Sequence, residues 1–218
     1  MIKILNEKNI PLSEILERGE NKTDVSGVVS EIIDNVRKNG DKALFEYAEK
    51  FDKAKLSSLE VSEEEIEEAF EAVEEEYINI LKEAKENIYN FHKRQQKNSF
   101  VISEKPGIVL GQRVIPLSRV GLYVPGGTAS YPSSVLMNVI PAIIAGCDEI
   151  IMSTPPNKEG KISPVILAAA KIAGCGRIYK MGGAQAVAAM AYGSETVPKA
   201  DKIVCPGNAF VAEAKRQV

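Results

Sequence analysis

Between Asp24 and Val36 the apolar side chains Val25, Val28, Val29, Ile32, Ile33 and Val36 recur at three- and four-residue spacing. That spacing predicts a helix with one apolar face, capped by Thr23 or Asp24 and ended by Gly40. A shorter helix follows through Ala43, Leu44, Tyr47 and Phe51. Ser62 and Glu65 then form a capping-box pattern, which predicts one long helix with apolar residues at 66, 70, 73, 77, 80/81, 84, 88 and 91. This is nearly a heptad seam. It admits a helix packed along its own domain or a dimeric coiled coil.

After Phe100 the period changes. Phe100–Ser103 and Ile108–Leu110 flank Lys105-Pro106-Gly107, the pattern of a hairpin. Beyond it, apolar strands near 119–124, 149–153, 177–180 and 202–204 alternate with helical stretches near 132–145, 163–173, 184–192 and 208–218. Regular alternation of this kind predicts an α/β fold: a Rossmann-like parallel sheet unit with a helical amino-terminal region. We divide the chain into residues 1–117, helical and ending in extended segments as part of an incomplete first domain, and 118–218, a cofactor-side domain truncated in its last helix. Ala145-Gly146-Cys147 and Ala173-Gly174-Cys175 recur 28 residues apart, each a glycine helix stop that leads into the next strand.

Charge is unevenly placed along the chain. Residues 1–100 carry 23 acids and 15 bases, residues 101–218 carry 7 acids and 12 bases. The acidic stretch between Ser62 and Glu86 reads as a solvated helix face or an interaction surface. The mildly basic second half suits an anionic small ligand, and its Lys and Arg are too dispersed for a nucleic-acid surface. No apolar run is long enough to cross a bilayer, and the opening residues are too short and too mixed for a secretory signal, so the chain is read as cytoplasmic with no membrane partner. Cys147, Cys175 and Cys205 form no CxxC pair and read as free thiols.

In an open parallel sheet, ligands gather where loops leave the carboxyl ends of the strands. Here those loops are Pro125-Gly126-Gly127-Thr128, Thr154-Pro155-Pro156, Gly182-Gly183-Ala184-Gln185 and Pro206-Gly207-Asn208, whose glycines permit close backbone approach. No GxGxxG fingerprint is present, so the residues alone point to generic nucleotide binding. The one histidine, His92, lies at the basic end of the acidic helix and reads as structural. No catalytic residues and no metal ligands can be assigned, because a zinc site without histidine pairs needs clustered thiolates or carboxylates. Cys205 has no histidine base near it in sequence to make it a nucleophile.

Three blocks carry a family resemblance: Arg119–Ile150, which contains Tyr123-Val124-Pro125-Gly126-Gly127; Met181–Ala189; and Pro206–Val218. In this order and spacing they resemble histidinol dehydrogenase, over the amino-terminal half of an enzyme about twice as long. The resemblance implies a homodimer whose active sites use both chains. It also implies oxidation of L-histidinol through the aldehyde to L-histidine with two NAD molecules. The zinc ligands (a glutamine, two histidines and an aspartate) and a glutamate–histidine acid/base pair would belong to the missing half. Positions matching the family's NAD-contacting residues are Tyr123, Gln185 and Asn208, and Cys205 stands where the family commonly has glycine. The chain, ending within a helical pattern, is therefore expected to bind NAD but to be inactive alone, and to form a homodimer or associate with the missing half. Apolar faces such as Val25–Val36 and Ala209-Phe210 are expected to be left uncovered. A stand-alone nucleotide-binding or interaction module is the alternative.

Overall fold

The computed structural model describes residues 6, 8–16, 24–126 and 130–218. Thr23, Gly127 and Thr128 lie outside the described residues. After a short helix α1 (Leu12–Leu16), the long apolar pattern forms α2 (Ser26–Tyr47). Asp24 Oδ1 accepts from the Ser26 N–H at 3.0 Å and the Ser26 hydroxyl at 2.6 Å, at the start of α2. Gly40 interrupts α2 at φ 52°, ψ −132°, a conformation that side chains with a Cβ rarely adopt. The chain re-enters the helix at once, then ends in a π-helical turn, Ala48–Asp52.

The long helix expected from Ser62 is two. Ser62 and Glu65 form the capping box that opens α3 (Glu63–Glu71), and a break at 72–74 precedes α4 (Glu75–His92). The apolar stripe is continuous in sequence, but Ala69 of α3 packs toward α6 while Ile78 and Leu81 of α4 are buried as α4 runs along α5 and α6. One straight helix cannot serve both grooves. Of the seam positions, Ile80 and Phe91 face solvent. The hairpin forms as expected, β1 (Phe100–Lys105) against β2 (Ile108–Gln112), with both strands exposed along their whole length.

The main sheet comprises β3 (Arg119–Tyr123), β4 (Glu149–Thr154), β5 (Arg177–Lys180) and β6 (Lys202–Val204) in the order β5-β4-β3-β6, every pair parallel. Helices α5 (Pro132–Ile144) and α6 (Pro164–Ala173) make the crossovers on one face, joined there by α3 and α4. On the other face lie α7 (Gly183–Tyr192), α8 (Ala209–Gln217) and α2. The period-two rule for strands sorts the core accordingly. Val120, Leu122, Met152 and Ile178 point to α5 and α6, whereas Tyr123, Ile151 and Tyr179 point to α2 and α7. Both clusters draw on residues from either side of position 117.

One expectation is overturned in part. Val29, Ile32, Ile33 and Val36 of α2 are not left uncovered but are buried within the same cluster as α7 and α8. Ser30 Oγ donates to Gln217 Oε1 at 2.8 Å, and Gln217 Nε2 donates to the Ser26 carbonyl at 3.1 Å, so α8 docks on α2. Val28 remains exposed on α2, and Ala209 and Phe210 are both exposed, as expected for that face.

Gly40 and Asp41 tie α2 to the loop after α7. Glu195 accepts from the Asp41 N–H at 2.8 Å, Asp41 accepts from the Ser194 hydroxyl at 2.5 Å, and the Thr196 hydroxyl also donates to Asp41. A Cβ on Gly40 would collide with the Glu195 carboxylate. Gly40→Ala is therefore expected to lower unfolding stability by about 2 kcal/mol, from the left-handed φ and the displaced carboxylate together, measured by urea denaturation. A loss below a few tenths would show that the kink is not required.

Candidate nucleotide-binding crevice

From β3 the chain steps outward through β4 to β5, then returns across the sheet to place β6 on the far side of β3. This reversal makes the carboxyl ends of β3 and β6 a topological switch point, where the loops lead to opposite faces and leave a crevice. Three loops close on each other above it. Pro155, just after β4, sits between two glycines: a Cβ on Gly126 would lie 2.8 Å from its Cγ, and one on Gly182 would lie 2.7 Å from its Cβ. No larger residue fits at either position without moving the proline, which is why the loops after β3, β4 and β5 meet.

Tyr123, Gln185 and Asn208, expected from sequence to contact a cofactor, all line one cavity of about 420 Å³ there. Tyr123 ends β3 and is buried, with its hydroxyl accepting from the Gly183 N–H at 3.2 Å. That leaves the phenolic proton free to donate. Burial pushes the Tyr123 hydroxyl above its ordinary value, an effect the Gly183 bond opposes and the nearby Asp52 and Cys205 reinforce, so it stays protonated across physiological pH. Asn208 is the N-cap of α8: its Oδ1 accepts from the Val211 N–H at 3.1 Å, which leaves the amide NH₂ as a donor. Gln185, in the first turn of α7, is 3 % exposed yet borders the cavity. The three thus present hydrogen-bonding groups from the end of β3, the start of α7 and the cap of α8 to one space.

A fourth polar group was not singled out in the sequence. Asp52, from the π-helical turn after α2, lines the same cavity beside Phe51. Its Oδ2 is buried with no hydrogen-bond partner among the described residues, and burial pushes its carboxyl up to about 6. An Asp 71 positions before Tyr123 in sequence, in an ordinary helical pattern, carries no local signal of such a role.

Other candidates lie elsewhere. His92 is half-buried at the end of α4, its Nδ1 2.7 Å from Gln95 Oε1, and borders a different cavity. Cys205 is half-buried, and burial raises its thiol above the usual value although Lys215 opposes the shift, so it remains a neutral thiol. Burial holds the Cys175 thiol up to about 12. Among the described residues no group of three His, Cys, Asp or Glu side chains converges to hold a metal ion, so they do not assemble a zinc site. The lining suits part of a nucleotide, since the crevice combines glycine-permitted close approach, helix starts and unused donors and an acceptor in one cavity.

The fold is that of a doubly wound α/β protein with a crevice at its switch point. Residues 16–218 match the sequence profile of histidinol dehydrogenase. The histidinol dehydrogenase of Clostridium acetobutylicum is 56% identical over 201 residues, covering 92% of this chain and 47% of that protein. That of Streptococcus mutans is 52% identical over 215 residues, covering 98% and 50%. The crystal structure of histidinol dehydrogenase from Elizabethkingia anophelis superposes with a TM-score of 0.90 at 40% identity, covering 95% of this chain and 49% of that one. The chain belongs to the histidinol dehydrogenase family, a family of oxidoreductases, and spans about half the length of the curated relatives it matches.

Gly182→Ala tests the loop contact. It is expected to displace Pro155, costing about 1–3 kcal/mol of stability by overpacking, and to shift the NMR resonances of Tyr123 and Asn208 along with those of its neighbours. Shifts confined to residues 180–184 would show that the loops are not mechanically linked.

Proposed function

We propose that this chain is the amino-terminal, cofactor-side portion of a histidinol dehydrogenase, which oxidises L-histidinol to L-histidine with NAD in the last steps of histidine biosynthesis. The observation that carries the reading is the convergence of Tyr123, Gln185 and Asn208, from the end of β3 and the starts of α7 and α8, on one crevice at the switch point of the sheet. In this reading the crevice holds NAD: Tyr123 offers its phenolic proton, Asn208 its amide NH₂, and Gln185 a donor and an acceptor. NAD when bound would supply the hydride acceptor. This chain's residues bind and orient it.

Substrate binding, the zinc of the family enzyme and its acid/base pair are assigned to the rest of the enzyme, because this chain's one histidine stands at the end of α4, away from the crevice. The chain alone is therefore proposed to be inactive. Cytoplasmic residence is proposed with the same biosynthetic role. No helix among the described residues is long and apolar enough to cross a membrane.

The uncovered β1–β2 hairpin supports association, as a homodimer or with the remaining half of the enzyme. Val101, Val109 and Leu110 stand more than 60 % exposed on it, a larger apolar strand surface than a soluble monomer ordinarily presents.

Two outcomes are expected. Purified chain mixed with L-histidinol, NAD and zinc should give no rise in absorbance at 340 nm; a steady rise abolished by a chelator and absent from a mock preparation would refute its inactivity. Titration with NAD should move the amide resonances of Tyr123, Gln185 and Asn208 together, with a dissociation constant of about 100 μM or weaker, since one part of a site offers few polar contacts. Shifts centred on His92 and α4 would place the ligand elsewhere.

A further inference from the structure

The π-helical turn Ala48–Asp52 is held by its surroundings in an uncommon geometry. Lys53, which closes it, is the only non-glycine residue with positive φ among the described residues, at φ 60° and ψ 24°. Conformations of this kind persist where the fold over-determines them, and π-turns recur at ligand sites. The turn delivers Phe51 and Asp52 to the rim of the crevice. The Phe51 ring stacks on Tyr47, centroids 5.3 Å apart and 1° from parallel, while the side chain remains 47 % exposed. An anchored aromatic ring therefore stands beside a carboxylate with one oxygen buried and unpartnered.

Such an oxygen costs stability unless a donor reaches it. The protein provides none among the described residues, and no Lys, Arg or His side chain lines the cavity. Of the charged groups around Asp52, Lys53 donates to the Lys50 carbonyl at 2.9 Å, and the Lys50 ammonium stands 5.4 Å from the centre of the Phe51 ring. Tyr123 on β3 shares the cavity with Asp52 and is close enough to feel the charges of both Asp52 and Cys205. A lone carboxylate with no cation opposite is an acceptor for neutral donors. A pair of vicinal hydroxyls next to a stackable base matches it, because its O–H groups can donate to Oδ1, the carboxylate oxygen that is not buried, while the base lies on the aromatic rim.

We propose that Asp52 is a positioning residue of the crevice whose carboxylate accepts hydrogen bonds from the cis-diol of a ribose in the bound dinucleotide. The assignment rests on the NAD reading above and goes beyond it, by recruiting the amino-terminal region to the cofactor site. The diol belongs to the adenosine half or to the nicotinamide half, and mononucleotides distinguish the two.

The test is NMR titration of the whole chain with NAD, AMP and nicotinamide mononucleotide between pH 5 and pH 8, for the parent and for Asp52→Asn. Free Asp52, with its carboxyl pushed up to about 6 by burial, is largely protonated at pH 5 and ionised at pH 7. Diol binding favours the ionised form, so NAD affinity of the parent should rise about tenfold from pH 5 to pH 7 and then level off. Asp52→Asn should bind about tenfold more weakly than the parent at pH 7 and show no such rise. The mononucleotide whose rise between pH 5 and pH 7 is larger in the parent than in Asp52→Asn contains the ribose that Asp52 holds, since the variant cancels the ionisation of the ligand's own phosphate. Asp52→Asn should melt no lower than the parent at pH 7, since it removes an unpartnered buried charge. Equal affinity of parent and variant, a rise that persists in the variant, or an unfolded variant would overturn the assignment while leaving the NAD reading intact. If NAD moves none of Tyr123, Gln185 and Asn208, the NAD reading itself fails and the diol contact with it.

Discussion

A parallel sheet must be buried on both faces, and in this chain one face depends on residues far away in sequence. Helices α5 and α6 cover the first face as local crossovers. The second receives α7 from the β5–β6 crossover and α8 after β6, but its cover is completed by α2. Val29, Ile32, Ile33 and Val36 meet the Ala- and Val-rich surface of α7, whose small side chains let the helices approach closely. On the sheet side, Gly121 brings β3 against Met190: a Cβ there would stand 2.9 Å from its sulfur. The amino-terminal helix is thus part of the sheet's own core rather than an appendage to it.

The same packing positions the site. Because α2 lies over this face, its terminal turn ends at the carboxyl edge of the strands, beside Tyr123 and the start of α7. Phe51 and Asp52 therefore border the crevice without belonging to any of the loops that follow the strands. Pro155 between Gly126 and Gly182 sets the spacing of those loops, and Gly183, at φ 63°, turns its N–H onto the Tyr123 hydroxyl. Backbone freedom at a few glycines is converted into fixed placement of donors.

The two ends of the sheet are built differently. At the amino ends of the strands, Arg119 bonds Glu149 at 2.5 Å, and Arg177 bridges Glu149 at 3.1 Å and Glu60 at 2.8 Å. Partial burial works against ionisation of Glu149, but the bonds and charges of Arg119 and Arg177 outweigh it and hold its carboxyl below the usual range. Lys180, nearly buried at the end of β5, pairs with Glu65 at 2.6 Å, the same glutamate that closes the capping box of α3. Charges that brace the structure are satisfied by one another, whereas the polar groups of the crevice keep unused capacity. That contrast separates scaffold from site.

Much of the fold was legible in the chain. Alternating apolar strands and amphipathic helices after Arg119 specify a parallel sheet, because period and spacing are local properties, and the four strands and their helices fall where the pattern puts them. The Ser62–Glu65 cap and the turn at Pro106-Gly107 were legible for the same reason. Tyr123, Gln185 and Asn208 were expected to share one edge because each stands at or just beyond a strand end in a block resembling the family, and all three line one cavity. Tertiary structure decided the rest. The break between α3 and α4 arises because two grooves on α5 and α6 demand different helix directions, which a continuous apolar stripe does not record. The burial of α2 against α7 and the arrival of Asp52 in the crevice both depend on which distant surface covers the second face of the sheet, and no spacing within residues 24–52 encodes that partner.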